Sequence, residues 1–294
     1  MKYARLLNPG IWSYLLQRSC TWYPLRRRLS AIAASTKPDF SAGADGDAAA
    51  IAANLERDGV AMLGGFVDAE AVQRITAHLR DAPLRERFPP FRGDFSLDAV
   101  PENVHVAEYR TEHVLGCPDI LRIANHPRLL AAASRYLGCK PTISNLSVWW
   151  SLPADGTAQE AENYHRDVDD WRFVKLFVYL NDVGPGGGPH CFVRGSHRSW
   201  RFVRKRRLTD TEVAAVFPRE DLLEIGGKAG DAFLEDTFGL HKGQPPRSQR
   251  RLLFQVEYSV GPIAVYDYRP APLGGVAQKL DPYINRLFVS AGDA

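Results

Sequence analysis

The stretch Asn163-Tyr164-His165-Arg166-Asp167-Val168-Asp169-Asp170-Trp171 reads NYHRDVDDW and packs one histidine and three carboxylates into nine residues. His165 and Asp167 stand two apart. On an extended segment both side chains leave the same face. An imidazole and a carboxylate on one face can take two adjacent positions around a divalent metal. One further histidine would complete a two-histidine, one-carboxylate facial triad with three positions left open, the arrangement that suits non-haem Fe(II). By itself H-x-D is weak evidence, because the tripeptide arises often by chance. The competing reading is a solvated acidic turn, and Asp169 and Asp170 read as turn residues of that kind.

The third ligand must come from elsewhere in the chain. His78 falls on the surface of a predicted helix, and His105 and His113 fall in an irregular region. His126 precedes a helix and reads as a cap. His190 reads as a surface or strand histidine, and His197 as a supporting or turn-capping residue. His241 follows the strand-like run GDAFLEDTFGL and precedes another strand, far enough from His165 for several strands to return the chain to one pocket. The run that starts there, HKGQPPRSQRRLLFQ, places Arg250 and Arg251 at the head of the next strand. A planar guanidinium at that point can grip a carboxylate through two hydrogen bonds, near the metal but not on it. H-x-D, a distant histidine and a strand-leading arginine, in that order, are far more specific than any one of them.

The surrounding pattern is helices first and strands afterwards. Gly59–Leu63 reads as a short strand. Asp68 caps a helix running to about Arg80, with Val72, Ile75 and Leu79 on one stripe. Residues 83–118 read as long loops with little regular structure. Pro127 opens a helix that Gly138 closes. Short alternating runs then follow at 143–152, 172–180, 190–193, 230–234 and 251–260, separated by turn-formers such as GPGGG at 184–188. This order predicts an α+β domain, mainly β, built on an antiparallel sandwich or barrel. Within the 172–180 strand, Lys175, Phe177 and Tyr179 share a face, opposite Val174, Leu176 and Val178; either set can be the inner one. The same choice arises for Asn145, Ser147 and Trp149.

Composition sets outer bounds. With 294 residues, 45% apolar and 24% charged, the chain suits a soluble globular protein. A net charge of +3 is too small to argue for nucleic acid. Residues 1–38 hold seven Lys/Arg and no Asp or Glu, so the remainder is near +3 − 7 = −4. Residues 1–50 therefore read as a basic N-terminal arm followed by a linker (36–50, TKPDFSAGADGDAAA), with the domain at 51–294 including a C-terminal extension. The arm reads as docking on its own domain or staying mobile; a transit peptide or a membrane-surface helix is the alternative. No apolar run reaches the roughly 18 residues needed to span a bilayer. The four cysteines are scattered without CxxC spacing, which points to a reducing, cytoplasmic setting. Residues 198–207, RSWRFVRKRR, hold six basic residues and read as a solvated face, or else as a lid that attracts an anionic substrate.

The chain resembles the phytanoyl-CoA dioxygenase family of Fe(II)- and 2-oxoglutarate-dependent oxygenases. The resemblance rests on YHRD (164–167), LNDVGPGGGPHCFVRGSHR (180–198), HKGQPPRSQRRLLFQVEY (241–258) and the opening GVAMLGGFVDAEAVQRI (59–75), and covers roughly residues 57–260. It implies a double-stranded β-helix (jelly-roll, cupin-like) core with flanking helices. It implies Fe(II) ligands at His165, Asp167 and His241. It implies that Arg251, with Arg250 as the alternative, binds the distal carboxylate of 2-oxoglutarate. O2 and a small-molecule or carrier-linked substrate complete the expected set, and the expected outcome is C–H hydroxylation. Halogenating relatives replace the carboxylate ligand by a small residue, whereas Asp167 stands here. One departure is Arg194, where the family usually has proline before the glycine of GSHR. Two competing readings are a catalytically silent metal- and 2-oxoglutarate-binding module, and a cupin-like metalloenzyme that does not use 2-oxoglutarate. The substrate and the oligomeric state are not legible, and the loops at 83–118, 153–162 and 198–225 are expected to shape the pocket.

Overall fold

Strand Arg251–Ser259 lies near the middle of the main sheet, and every one of its residues is buried. It shows the logic of the fold in a computed structural model that describes residues 9–40, 46–153, 157–204 and 206–290. The strands in chain order are β1 (Val60–Gly65), β2 (Leu84–Glu86), β3 (Asp94–Phe95), β4 (Val106–Tyr109), β5 (Thr142–Ser151), β6 (Phe173–Tyr179), β7 (His190–Val193), β8 (Leu222–Ile225), β9 (Asp231–Glu235), β10 (His241–Gly243), β11 (Arg251–Ser259), β12 (Ala271–Pro272) and β13 (Val289–Ser290). An eight-stranded sheet runs β1-β9-β6-β11-β5-β4-β2-β3, and a three-stranded sheet runs β10-β7-β8. Both are antiparallel throughout, as the order of elements predicts, and together they form the jelly-roll body that the family resemblance implies.

The alternation of β11 divides two environments. Leu252, Phe254, Val256 and Tyr258 join Val174, Leu176 and Val178 of β6 in one large apolar core. Helices Gly46–Asp58, Ala69–Leu79 and Pro127–Leu137 cover that face, contributing Leu55, Ile75 and Tyr136, all nearly inaccessible to solvent. The opposite residues, Arg251, Leu253 and Gln255, face a cavity with Lys175 and Phe177. The choice left open by the sequence is thus decided by which side the helices cover. Local signals set the helix ends as anticipated. Asp68 accepts a hydrogen bond from the Ala71 amide at 2.7 Å, and Gly138 closes its helix in the left-handed region at φ 79°.

Two expectations need correction. Residues 83–118 are not mainly loop: β2, β3 and β4 extend the main sheet beyond β5, and helices Thr111–Leu115 and Pro118–Ala124 follow. Their pairing partners are remote in sequence, and strands of two to four residues carry too little alternation to be read locally. Residues 46–50, expected as the end of a linker, begin a helix whose Ala48 and Ile51 sit in the main core. Residues 41–45 of that linker lie outside the described residues. The N-terminal arm forms helices Pro9–Ser19 and Tyr23–Ser35, which pack on the body of the same chain. No helix among the described residues is long and apolar enough to cross a membrane.

The glycine-rich turn before β7 is under a tight steric constraint. Gly188 has φ +69°, and a Cβ there would lie 2.3 Å from the Gln244 carbonyl oxygen and 2.7 Å from the Pro246 nitrogen. Both atoms are backbone and cannot swing aside, and they flank the β7–β10 pairing of His190 with Gly243. Gly184, in the same turn, meets nothing within 4 Å. Gly188→Ala is expected to lower Tm by at least about 5 °C, combining left-handed strain with the clash. Gly184→Ala should leave Tm nearly unchanged, as thermal denaturation followed by circular dichroism will show.

Candidate metal centre

Two segments remote in sequence meet as a short antiparallel bridge. The His165 amide donates to the His241 carbonyl at 2.9 Å, and the His241 amide donates to the His165 carbonyl at 3.0 Å. The imidazoles are thereby placed side by side, with ring centroids 4.2 Å apart. Two residues on, the Asp167 amide bonds the Thr237 carbonyl at 2.9 Å, which keeps the segment extended and turns Asp167 to the same side as His165. The period-two argument from the sequence therefore holds.

The two histidines are oriented in the same way. Nδ1 of His165 lies 2.9 Å from the Asn163 carbonyl, and Nδ1 of His241 lies 3.0 Å from the Gly239 carbonyl. A carbonyl can only accept, so each Nδ1 carries its proton and each Nε2 presents a lone pair. The Nε2 of His165 stands 3.6 Å from Asp167 Oδ1, and that of His241 stands 3.4 Å from Oδ2. Ligand atoms of all three residues lie within 4.8 Å of one another. Two imidazoles held through Nδ1 and a carboxylate, converging on one point, are a donor set that fits a divalent cation.

The three groups are electrostatically coupled. Burial, then the neighbouring His241, pushes the His165 pKa down to about 3, so its neutral, ligating form is the stable one. Burial also disfavours charge on His241, but Asp167 outweighs it and the net direction is upward. Asp167 is held well below the usual carboxylate range: burial opposes this, and Lys175 first, then the two histidines, prevail. Lys175 reaches Asp167 at 2.7 Å, Asp169 at 2.8 Å and Glu257 at 3.5 Å. Its own pKa rises well above normal, because these carboxylates outweigh the cost of burial.

Arg251 and Arg250 part company as alternation requires. Arg251 is buried and lines the cavity, whereas Arg250 is exposed and stacks over Trp150. Nη2 of Arg251 donates to Ser151 Oγ at 2.9 Å, its strand partner across β5, and no acidic side chain pairs with it among the described residues. Its Nε is buried with no hydrogen-bond partner at all. A guanidinium with an unused donor beside a cavity is a ready-made carboxylate site. Gly243 leaves it room, since a Cβ there would come within 2.9 Å of Nη2. The cavity, about 260 Å³, is shared by His165, Asp167, His241 and Arg251.

Several side chains lie elsewhere than expected. Asp169 and Asp170 are not a solvated turn. Asp169 lines the cavity and pairs with Lys175. Asp170 accepts from the amides of Trp171 at 2.7 Å and Gly261 at 2.8 Å, and burial pushes its pKa up to about 6. The period that aligned His165 with Asp167 also aligns Asp169, a signal present in the sequence. His190 is on a strand but not on the surface: it is buried, lines the cavity and turns Nε2 toward Glu235 at 2.9 Å. Burial, then His241, holds the His190 pKa well below normal, and burial raises that of Glu235 to about 8, so both are neutral. His197 lies away from the cavity, buried beneath the carbonyl of Glu56 at 3.3 Å. Of the basic run, Arg207 lines the cavity and pairs with Glu160 at 2.9 Å, while Arg206 pairs with Glu212 at 2.7 Å on the outside. Lys205 lies outside the described residues.

The model of the phytanoyl-CoA dioxygenase family matches residues 55–252, about two thirds of the chain. The chain belongs to this family. The match begins ahead of β1 and ends just past Arg251, so it spans every residue of the constellation. The family is one of Fe(II)- and 2-oxoglutarate-dependent oxygenases. Among solved structures, the non-heme alpha-ketoglutarate-dependent carbocyclase SnoK from nogalamycin biosynthesis is 18% identical, with 83% of this chain and 93% of that chain covered and a TM-score of 0.50. At that identity the likeness speaks for the fold alone. HygX from Streptomyces hygroscopicus, solved with nickel and 2-oxoglutarate bound, is 18% identical over 80% of this chain and 96% of that one, with a TM-score of 0.49. The epimerase SnoN from nogalamycin biosynthesis is 20% identical over 72% and 81%, with a TM-score of 0.49. No curated protein matches the chain.

The sequence left Lys175 as a strand residue of open orientation, and the structure makes it the counter-charge of the centre. Lys175→Met strips a buried cation from Asp167, Asp169 and Glu257 and is expected to cost about 3–5 kcal/mol in urea unfolding of the metal-free protein. Lys175→Met combined with Glu257→Gln should recover part of that loss, giving a non-additive cycle.

Proposed function

We propose that this chain hydroxylates a C–H bond of a small-molecule or carrier-linked substrate, using Fe(II), 2-oxoglutarate and O2. His165, Asp167 and His241 hold the iron, and Arg251 binds the distal carboxylate of 2-oxoglutarate. The observation that carries this reading is the shared cavity: His165, Asp167 and His241, whose donor atoms converge, line one space with the buried Arg251, which no acidic side chain among the described residues pairs. Bound iron supplies the means to couple oxidative decarboxylation of 2-oxoglutarate, giving succinate and CO2, to insertion of the second oxygen atom into the substrate.

The chain's own residues do the rest. The Asn163 and Gly239 carbonyls keep both imidazoles in the ligating tautomer. Lys175 bonds Oδ2 of Asp167 and keeps it ionised, so the carboxylate retains its negative charge for the cation. Ser151 aims the Arg251 guanidinium, and Phe177, Trp149 and Leu253 wall the cavity against water. Arg207, poised on Glu160 at the cavity, is available to an incoming anionic group. The domain proposed to do this runs from residue 51 to the C-terminal extension.

The test is succinate release from 2-oxoglutarate, with and without added Fe(II), alongside mass spectrometry of candidate metabolites for the gain of one oxygen. His165→Ala should lower iron-dependent turnover by more than about 100-fold, beyond what loss of a supporting contact costs. Undiminished turnover in that variant defeats the assignment. Arg251→Gln should raise the KM for 2-oxoglutarate at least about tenfold through loss of a charged hydrogen bond, and Arg250→Gln should leave it within about twofold. Activity indifferent to both arginines would favour a metalloenzyme that does not use 2-oxoglutarate.

A further inference from the structure

The N-terminal helices are two-faced. In Pro9–Ser19 and Tyr23–Ser35 the inner face carries Tyr14, Gln17, Arg26, Ser30 and Ala34, all buried. Gln17 Nε2 donates to the Val168 carbonyl at 2.6 Å, and Arg26 donates to the Gln17 carbonyl at 2.6 Å and to the Asp170 carbonyl. These contacts fix which side of each helix is left outward. The outward side is apolar: Leu15, Leu16, Trp22, Leu25 and Ile32 are exposed, from 40% at Leu25 to 63% at Trp22 and Ile32. Leu25, Arg28 and Ile32 repeat at helical spacing, opposite Arg26, Ser30 and Ala34. A soluble surface rarely concentrates so many large apolar groups without a partner.

The charge decides the kind of partner. Residues 9–38 contain no acidic residue, and of their cations Arg26 is buried inward, leaving Arg18, Arg27, Arg28 and Lys37. Arg27 and Arg28 are exposed beside the apolar side chains, Arg27 lying 3.5 Å from Glu56. Helices of 11 and 13 residues are too short to span a bilayer. A short helix with an apolar face, a tryptophan at its edge and basic flanks lies in the plane of a membrane surface, the apolar side chains among the acyl chains and the cations among anionic headgroups. We propose that the outward face of these two helices docks the protein on an anionic lipid bilayer while their inner face stays on the enzyme body. This rests on the arm alone and is independent of iron, 2-oxoglutarate or turnover.

The test is co-sedimentation of the full-length protein with vesicles of phosphatidylcholine alone or of phosphatidylcholine and phosphatidylserine in equal parts. Wild type should pellet with the anionic vesicles and not with the neutral ones, and added salt should weaken the binding. The triple variant Leu16→Ser, Trp22→Ser and Leu25→Ser should bind at least about tenfold more weakly, its unchanged Tm showing that the body remains folded. Arg27→Gln with Arg28→Gln should reduce the preference for anionic vesicles several-fold. No binding by wild type, or equal binding by the triple variant, overturns the proposal. So does sedimentation velocity showing a dimer that the triple variant abolishes, since the occupant is then a second copy of the chain.

Discussion

The reciprocal hydrogen bonds between the backbones of His165 and His241 are the constraint on which the site depends. They join a segment ahead of β6 to the start of β10, two stretches separated by most of the jelly roll. Each histidine then uses Nδ1 on a carbonyl two residues upstream, so the backbone conformation that makes the bridge also sets the tautomer. Register and chemistry are therefore not independent here. A one-residue slip in either segment would turn an imidazole to the far face of its strand and lose both the bridge and the donor atom.

Charge balance is the second layer. Asp167, Asp169 and Glu257 face one buried cation, Lys175. Burial raises the pKa of Glu257 well above normal, with Lys175 opposing. Neighbouring His190 and Glu235 are likewise neutral and bonded to each other. The surroundings of the donor triad thus carry buried polar groups but little net charge, which lets a divalent cation dominate the local field. Among the described residues, Arg251, on the strand that also carries Glu257, is one of two cavity-lining guanidiniums with a buried donor left unpaired, at Nε; the other is Arg87, at Nη1.

The parts legible in the sequence were those governed by short periods and by order along the chain. The alternation of β6 and β11, the Asp68 and Gly138 caps, the H-x-D pair and the strand-leading arginine are local patterns, and each is found where it was expected. Which of two faces of β6 looks inward was not legible, because that depends on where the helices pack. The short strands β2 to β4 were missed because their identity lies in their partners, not in four residues of their own. Composition misleads at Asp169 and Asp170: acidic residues in a run look solvated, whereas here both are half-buried, Asp169 paired with Lys175 and Asp170 accepting from the amide of Gly261. The pairing of Lys175 with Glu257 is a register fact, invisible until β6 and β11 are laid side by side.

The N-terminal helices bear on the centre through one aromatic ring. Phe238 is met by two guanidinium groups, Arg26 at 4.4 Å and Arg166 at 5.4 Å from its centroid, and Arg166 also donates to the Phe238 carbonyl at 2.5 Å. Arg26 comes from the arm, Arg166 lies between His165 and Asp167, and Phe238 stands three residues before His241. Burying two guanidinium groups is costly unless their donors are met. Here carbonyls of residues 17, 170, 199, 201 and 238 meet them, so the arm and the segments carrying His165 and His241 share one hydrogen-bonded cluster. Removing the arm would leave the Asp170 carbonyl without Arg26 and take one of the two guanidinium groups from the Phe238 ring. A helix pair that reads as a basic, apolar appendage in the sequence is, by its inner face, part of what holds residues 168–170 in place.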